Sequence, residues 1–180
     1  MPNMDLLTSL EPQMAALLER HKEAAARTDW SYHEFLPLEA YRAERNRPKP
    51  LSEVAYTAVE TALLTEVILP WYTTALCRRL DDASGSLAEF VRQWTSEEDQ
   101  HSTLLETYLL ITANGDHAER NATRKQVLAR GWYDDVTGPF EAVVYTSLQE
   151  MATRSFYLHA AQVCEPEETM LTRALLRIAK

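Results

Sequence analysis

The chain has 180 residues, 46% hydrophobic and 25% charged, a balance that suits one folded domain and excludes a disordered or fibrous chain. Its net charge of −9 counts against nonspecific nucleic-acid binding, which depends on basic surface. No apolar run reaches the roughly 18 residues of a membrane span, and the opening MPNMDLLTSLEP lacks the basic start and apolar core of a secretion signal. The expectation is a cytoplasmic protein.

In chain order, the apolar period of Ala16, Leu17 and Ala24 predicts a helix from about Glu11 to Arg27. Thr28 to Pro50 mixes prolines and charges and reads as an irregular connector, with Trp30, Tyr32, Phe35 and Tyr41 packing it onto the rest. Ser52 is placed to cap the next helix, which runs to Leu80 with a kink at Pro70. A long helix follows from about Leu87 to Ile111 and stops at the Asn114–Gly115 turn; a shorter one ends near Gly131. Gly138–Pro139 opens another helix, and Pro166, followed by two glutamates, opens the last in the same way. The four glycines all fall beside these turns, which favours long helices over hairpins. The fold class is therefore all-α, a helical bundle of antiparallel long helices in one domain over 1–180.

Cys77 and Cys164 have no metal or redox spacing and read as buried thiols. The chemistry is carried instead by polar residues on apolar seams. Leu87, Val91, Trp94, Glu98, His101, Leu105 and Tyr108 follow alternating four- and three-residue steps along one helix face, and Glu98 and His101 interrupt its apolar run. Glu66 interrupts the face of Val59, Leu63 and Pro70. Glu150 sits centrally among Phe140, Val143, Ser147, Tyr157 and Ala161, with Thr153 nearby. A buried carboxylate needs its charge compensated.

Taken singly, an inward glutamate more often pairs with an arginine, and a lone Glu-x-x-His arises readily by chance. The combination is more specific. Helical-bundle di-metal sites take one glutamate from each of two helices and Glu-x-x-His from each of the other two. Both single glutamates and one such pair are present. Continuing the seam of Leu171, Leu175 and Ile178 would put the next inward positions beyond Lys180, so the expectation is a site that stops short of its last ligands.

These segments resemble the soluble acyl-acyl-carrier-protein desaturases of plants and actinobacteria, a ferritin-like di-iron family. TEVILPWY, Thr65 to Tyr72, is similar to the family's Thr-Glu-Glu-Ala-Leu-Pro-Thr-Tyr. WTSEEDQHSTLL, Trp94 to Leu105, resembles Trp-Thr-Ala-Glu-Glu-Asn-Arg-His-Gly-Asp-Leu-Leu, and YTSLQEMAT, Tyr145 to Thr153, a segment ending Gln-Glu-Arg-Ala-Thr. DWSYHEFLP resembles Trp-Gln-Pro-x-Asp-Phe-Leu-Pro. Val67, Gln100 and Met151 depart from the pattern at positions that are not ligands, and the family's Asp-Glu-x-Arg-His would begin directly after RIAK.

The resemblance implies a ferritin-like bundle and a centre of two iron ions held by Glu66, Glu98, His101 and Glu150, incomplete within 1–180. It places Glu97 outside the centre, Thr153 beside the oxygen pocket and Trp30 on an electron route. It implies insertion of a double bond into a carrier-bound fatty acyl chain, with acyl carrier protein as substrate carrier and a ferredoxin-like electron donor. Arg78, Arg79, Arg120, Arg124, Lys125 and Arg130 are candidate contacts for the acidic carrier. The other readings are a related di-metal hydroxylase of specialised metabolism and a helical interaction protein that has kept its seam carboxylates without metal. With four ligands in place of six, this chain alone is expected to hold substoichiometric or no stable di-iron, and an apolar face left uncovered is expected to give a homodimer or reduced stability.

Overall fold

The computed structural model describes residues 2–28, 30–36, 50–80, 85–133, 135–136, 138–166 and 168–180, with side chains from Leu6 onward. Regular structure among them is helical: α1 (Pro2–Ser9), α2 (Glu11–Arg27), a 3₁₀ turn (Tyr32–Glu34), α3 (Glu53–Glu66), α4 (Leu69–Leu80), α5 (Gly85–Ile111), α6 (His117–Arg130), α7 (Pro139–Cys164) and α8 (Thr169–Ile178). Helix α5, with 27 residues, and α7, with 26, are each about 40 Å long and form the spine. Helix α3 packs on both, α4 on both, α2 on α5 and α8 on α7. No described helix is long and apolar enough to cross a membrane.

Local chemistry sets the helix ends. The Ser52 hydroxyl accepts from the Ala55 N–H at 3.3 Å, capping α3 as the sequence indicates. The expected kink is a break between α3 and α4. Pro70 has no N–H for the Glu66 carbonyl and its ring crowds that carbonyl, so α3 stops at Glu66 and α4 starts at Leu69. Pro70 itself is exposed and does not belong to the seam assigned to it. Gly138 and Pro139 open α7 as expected. The last helix starts later than Pro166 implies, at Thr169, because the Glu168 carboxylate takes the Met170 N–H at 3.0 Å and supplies the cap. Helix α1 has no counterpart in the sequence reading, since its eight residues show no helical apolar period.

The core divides in two. One apolar cluster gathers Val59, Leu63, Leu104, Leu105, Leu109, Tyr157, Ala161, Leu171 and Leu175. The other gathers Leu7, Tyr72, Leu76, Val91, Trp94 and Ala142. Trp30, Tyr32 and Phe35 pack against the first cluster; Tyr41 lies outside the described residues. Cys164 is buried as expected, Cys77 only partly. On the seam assigned to α7, Phe140 and Ser147 are exposed and Val143 is partly buried, while Tyr157 and Ala161 are buried; Ala142, Ala160 and Cys164, off that seam, are buried too.

The α5–α6 corner is a polar knot. Asn114 accepts the Leu51 N–H at 2.8 Å and donates to the Thr112 hydroxyl at 2.8 Å. Gly115 takes φ +70° and faces the Tyr56 ring so closely that a Cβ would collide with it. Arg120 is 1% exposed and donates to the Asn114 carbonyl at 3.1 Å, with Glu106 3.7 Å away. It is thus a structural cation, which corrects its reading as a carrier contact: a buried guanidinium has no face left for a partner. Asn114→Ala strands a backbone N–H and should cost about 1–3 kcal/mol of stability. Chemical denaturation of both proteins measures this.

Candidate metal centre

The break that ends α3 leaves Glu66 as its last residue, facing α5 and α7. Glu98 and His101, three residues apart on α5, share one face. His101 Nδ1 lies 2.7 Å from Glu98 Oε2 and 3.9 Å from Glu66 Oε1. One donor atom from each of these three residues lies within 4.8 Å of the others. Glu150 on α7 and Thr153 one turn on line a void of about 30 Å³ together with Glu66 and Glu98, walled by Tyr72 and Trp94. The structure therefore brings Glu66, Glu98 and His101 into mutual contact range, with Glu150 and Thr153 across a space the size of a water or an ion.

These groups sit between the two apolar clusters. Trp94 and Leu104 bracket Glu98 and His101 along α5, Leu63 and Tyr72 bracket Glu66, and Ala142 and Tyr157 bracket Glu150. Burial, and then the Glu98 charge, push the Glu66 carboxyl up to about 7, against the pull of His101 and the Tyr157 hydrogen bond. Burial followed by the charges of Glu98 and Glu66 likewise raises Glu150 to about 7. For His101, burial opposes the charged form, but the carboxylates around it outweigh that and raise its pKa. The Tyr157 phenol is pushed well above its ordinary value by burial and by Glu66.

The donor set fits a divalent first-row metal. Carboxylate oxygens and one imidazole nitrogen are the ligands such an ion takes, and among the described residues Glu66 and Glu98 form ion pairs with His101 only. His101 Nδ1 is buried without a well-directed hydrogen bond despite its short approach to Glu98. Lone pairs crowded around an orphaned ring nitrogen are what a shared cation would satisfy.

The neighbouring Glu97 points elsewhere, 3.0 Å from His21 Nε2 on α2 and 3.0 Å from the Gln93 amide. Trp30 stacks on the His101 ring with centroids 6.1 Å apart and planes at 20°. The Arg177 guanidinium lies over Trp30 at 5.7 Å. Gln100, where the family pattern has arginine, accepts the Tyr32 N–H at 3.3 Å and ties the 3₁₀ turn to α5. A cleft of about 660 Å³ lined by His21, Trp30, Glu97, Glu98, His101 and Arg177 opens one side of the centre. An apolar pocket of about 310 Å³ lined by Thr61, Ala62, Thr65, Thr153 and Phe156 reaches Glu66 from the other side. One contact escaped the sequence reading: Tyr157, counted only as a seam residue, donates to Glu66 Oε1 at 2.5 Å. Its position seven residues after Glu150, on the same face, was the available signal.

Known proteins give the arrangement its relatives. The chain is 28% identical over 179 residues to the DesA1 protein of Mycobacterium tuberculosis, provisionally named an acyl-[acyl-carrier-protein] desaturase, covering 90% of this chain and 52% of that one. It is 31% identical to the chloroplastic acyl-[acyl-carrier-protein] desaturase of Cucumis sativus, covering 83% of this chain and 41% of that one. With stearoyl-[acyl-carrier-protein] 9-desaturase 2 of Arabidopsis thaliana, also chloroplastic, the identity is 30% over 69% of this chain and 34% of that one. The chain thus spans about half the length of DesA1 and less of the plant proteins. The fatty acid desaturase family model matches residues 2–180. Bearing a glutamate–histidine cluster in an all-α bundle and matched from end to end by that model, this chain belongs to the fatty acid desaturase family.

Proposed function

We propose that this chain serves an acyl-[acyl-carrier-protein] desaturase, inserting a double bond into a carrier-bound fatty acyl chain. On this reading residues 1–180 are one bundle domain that holds iron through Glu66, Glu98, His101 and Glu150. The observation that carries it is the convergence of Glu66, Glu98 and His101, within 4.8 Å of one another, in a member of this family. The names of the relatives supply the substrate class.

A bound centre of two iron ions supplies the activation of dioxygen that removing hydrogens from an unactivated chain requires. This chain's own residues prepare the place for it. Burial raises Glu66 and Glu150 to about 7, so each is partly protonated at neutral pH, and a cation taking over their oxygens would displace those protons. Tyr72 and Trp94, both buried, give the void an aromatic wall. Thr153 offers a hydroxyl at the junction of the void and the apolar pocket, within reach of a proton moving there. Trp30, stacked on His101, suits delivery of electrons from a ferredoxin-like donor. Arg78, Arg124, Lys125 and Arg130 are exposed and offer charge to an acidic carrier. Val144, Leu148 and Met151 expose apolar surface along α7, which supports a homodimer.

Catalysis is tested by supplying acyl carrier protein loaded with a saturated chain, iron(II), dioxygen and a reduced ferredoxin, then weighing the acyl product. Loss of two hydrogens supports desaturation; gain of one oxygen identifies a hydroxylase and overturns it. Iron(II) added anaerobically should raise the melting temperature, and His101→Ala or Glu98→Gln should abolish the rise. An equal rise in the variants would remove these residues from the ligand set.

The metal-free protein should lose stability as pH rises. Glu66 has a folded pKa of about 7 against 4.5 for the free group, so the folded state binds the extra proton between those values and stability falls across that window, then levels. His101, raised in the folded state, adds to the loss as pH rises further. The Glu66 contribution is roughly 3 kcal/mol, and Glu66→Gln should make the curve shallower, with Glu150 and His101 supplying the slope that remains. Denaturation midpoints taken across the neutral range, with chelator present, read it directly.

A further inference from the structure

Glu66 is the last residue of α3, so its carboxylate has no following helical turn on its own helix to pack against. Among the described residues its one hydrogen-bond partner is Tyr157, which reaches it from α7. Tyr157 is 1% exposed, and its hydroxyl donates to Glu66 Oε1 at 2.5 Å. The same ring meets His101 edge-on, with centroids 6.4 Å apart. One side chain therefore braces two members of the cluster, Glu66 by its hydroxyl and His101 by its ring edge. The oxygen it holds is the one 3.9 Å from His101 Nδ1.

The chemistry of the brace matters. A carboxylate oxygen has two lone pairs, so Oε1 can accept the phenol proton and still face a cation. A lysine or arginine in that place would neutralise Glu66 and repel the metal. A neutral phenol orients the carboxylate without either effect, and hydrogen bonds from outside the ligand shell commonly tune metal affinity.

We propose that Tyr157 is a positioning residue for the metal centre, setting the orientation in which Glu66 presents Oε1 beside His101. This rests on the reading of Glu66 and His101 as metal ligands. A plain structural role is the alternative, since a buried phenol needs a partner in any case. The two differ in what Tyr157→Phe changes. A structural role moves the melting temperature alone, while a positioning role also moves metal affinity and ligand field.

Cobalt(II) is the probe, titrated into the metal-free 180-residue chain and followed by its visible d–d bands. Tyr108→Phe is the control, because Tyr108 is equally buried in the same apolar cluster but its hydroxyl points to Glu168, 3.4 Å away. Tyr157→Phe should bind cobalt about 10–100-fold more weakly, with displaced bands, while the control keeps the parent affinity. Equal affinity and band shape in Tyr157→Phe, or equal weakening in Tyr108→Phe, overturns the proposal and leaves the metal reading standing. No cobalt uptake by the parent chain would overturn the metal reading and the proposal together. If Tyr157→Phe does not fold, the near-ultraviolet difference spectrum of the parent protein decides. A phenol perturbation that saturates with the cobalt bands supports the brace, and its absence refutes it.

Discussion

Burial of several acidic groups around one histidine is the constraint on which the rest of this bundle turns. A lone carboxylate in an apolar interior is costly, and here Glu66, Glu98 and Glu150 meet on the level of His101. The bundle carries them as a polar layer between two apolar clusters rather than as isolated defects. Each long helix contributes its interruption at the same height. Above and below that layer the bundle is held by ordinary packing of leucines, aromatics and alanines.

Proline chemistry tunes the layer. Pro70 lies four residues after Glu66, so the helix must release the Glu66 carbonyl and end there. The carboxylate becomes a terminal side chain, braced by Tyr157 from across the bundle instead of by its own helix. On α5 the helix is uninterrupted, and its rotation of about 100° per residue separates Glu97 from Glu98. Glu98 turns to His101, while Glu97 turns out to His21 and Gln93 and fastens α2 to α5. Adjacent, chemically identical residues thus serve different ends through geometry alone. The α5–α6 corner follows the same economy, with Asn114 and buried Arg120 satisfying backbone groups that a tight turn would strand.

The polar layer also governs access. The wide cleft on the His101 side is lined by charged and aromatic groups, including Trp30 beneath Arg177. The pocket on the Glu66 side is lined by threonines, alanine and phenylalanine. The buried cluster thus has two approaches of opposite character, one polar and aromatic and one largely apolar.

Much of this was legible in the amino-acid order, because helices obey a short-range period. The span of α2, the Ser52 cap, the extent of α5 and the opening of α7 at Gly138 follow from local patterns. So do Glu66, Glu98, His101 and Glu150 as interruptions of apolar seams. Other features depend on contacts between residues far apart in the chain. Burial of Arg120, exposure of Pro70 and Phe140, the late start of α8 and the Tyr157–Glu66 hydrogen bond all have their causes on neighbouring elements or in competing caps. Sequence by itself determined the helices and most of their inward-facing positions, the seam glutamates and histidine included, since a helix repeats every 3.6 residues wherever it sits. Only the tertiary structure decided which inward residues meet, because the packing of one helix against another sets that distance.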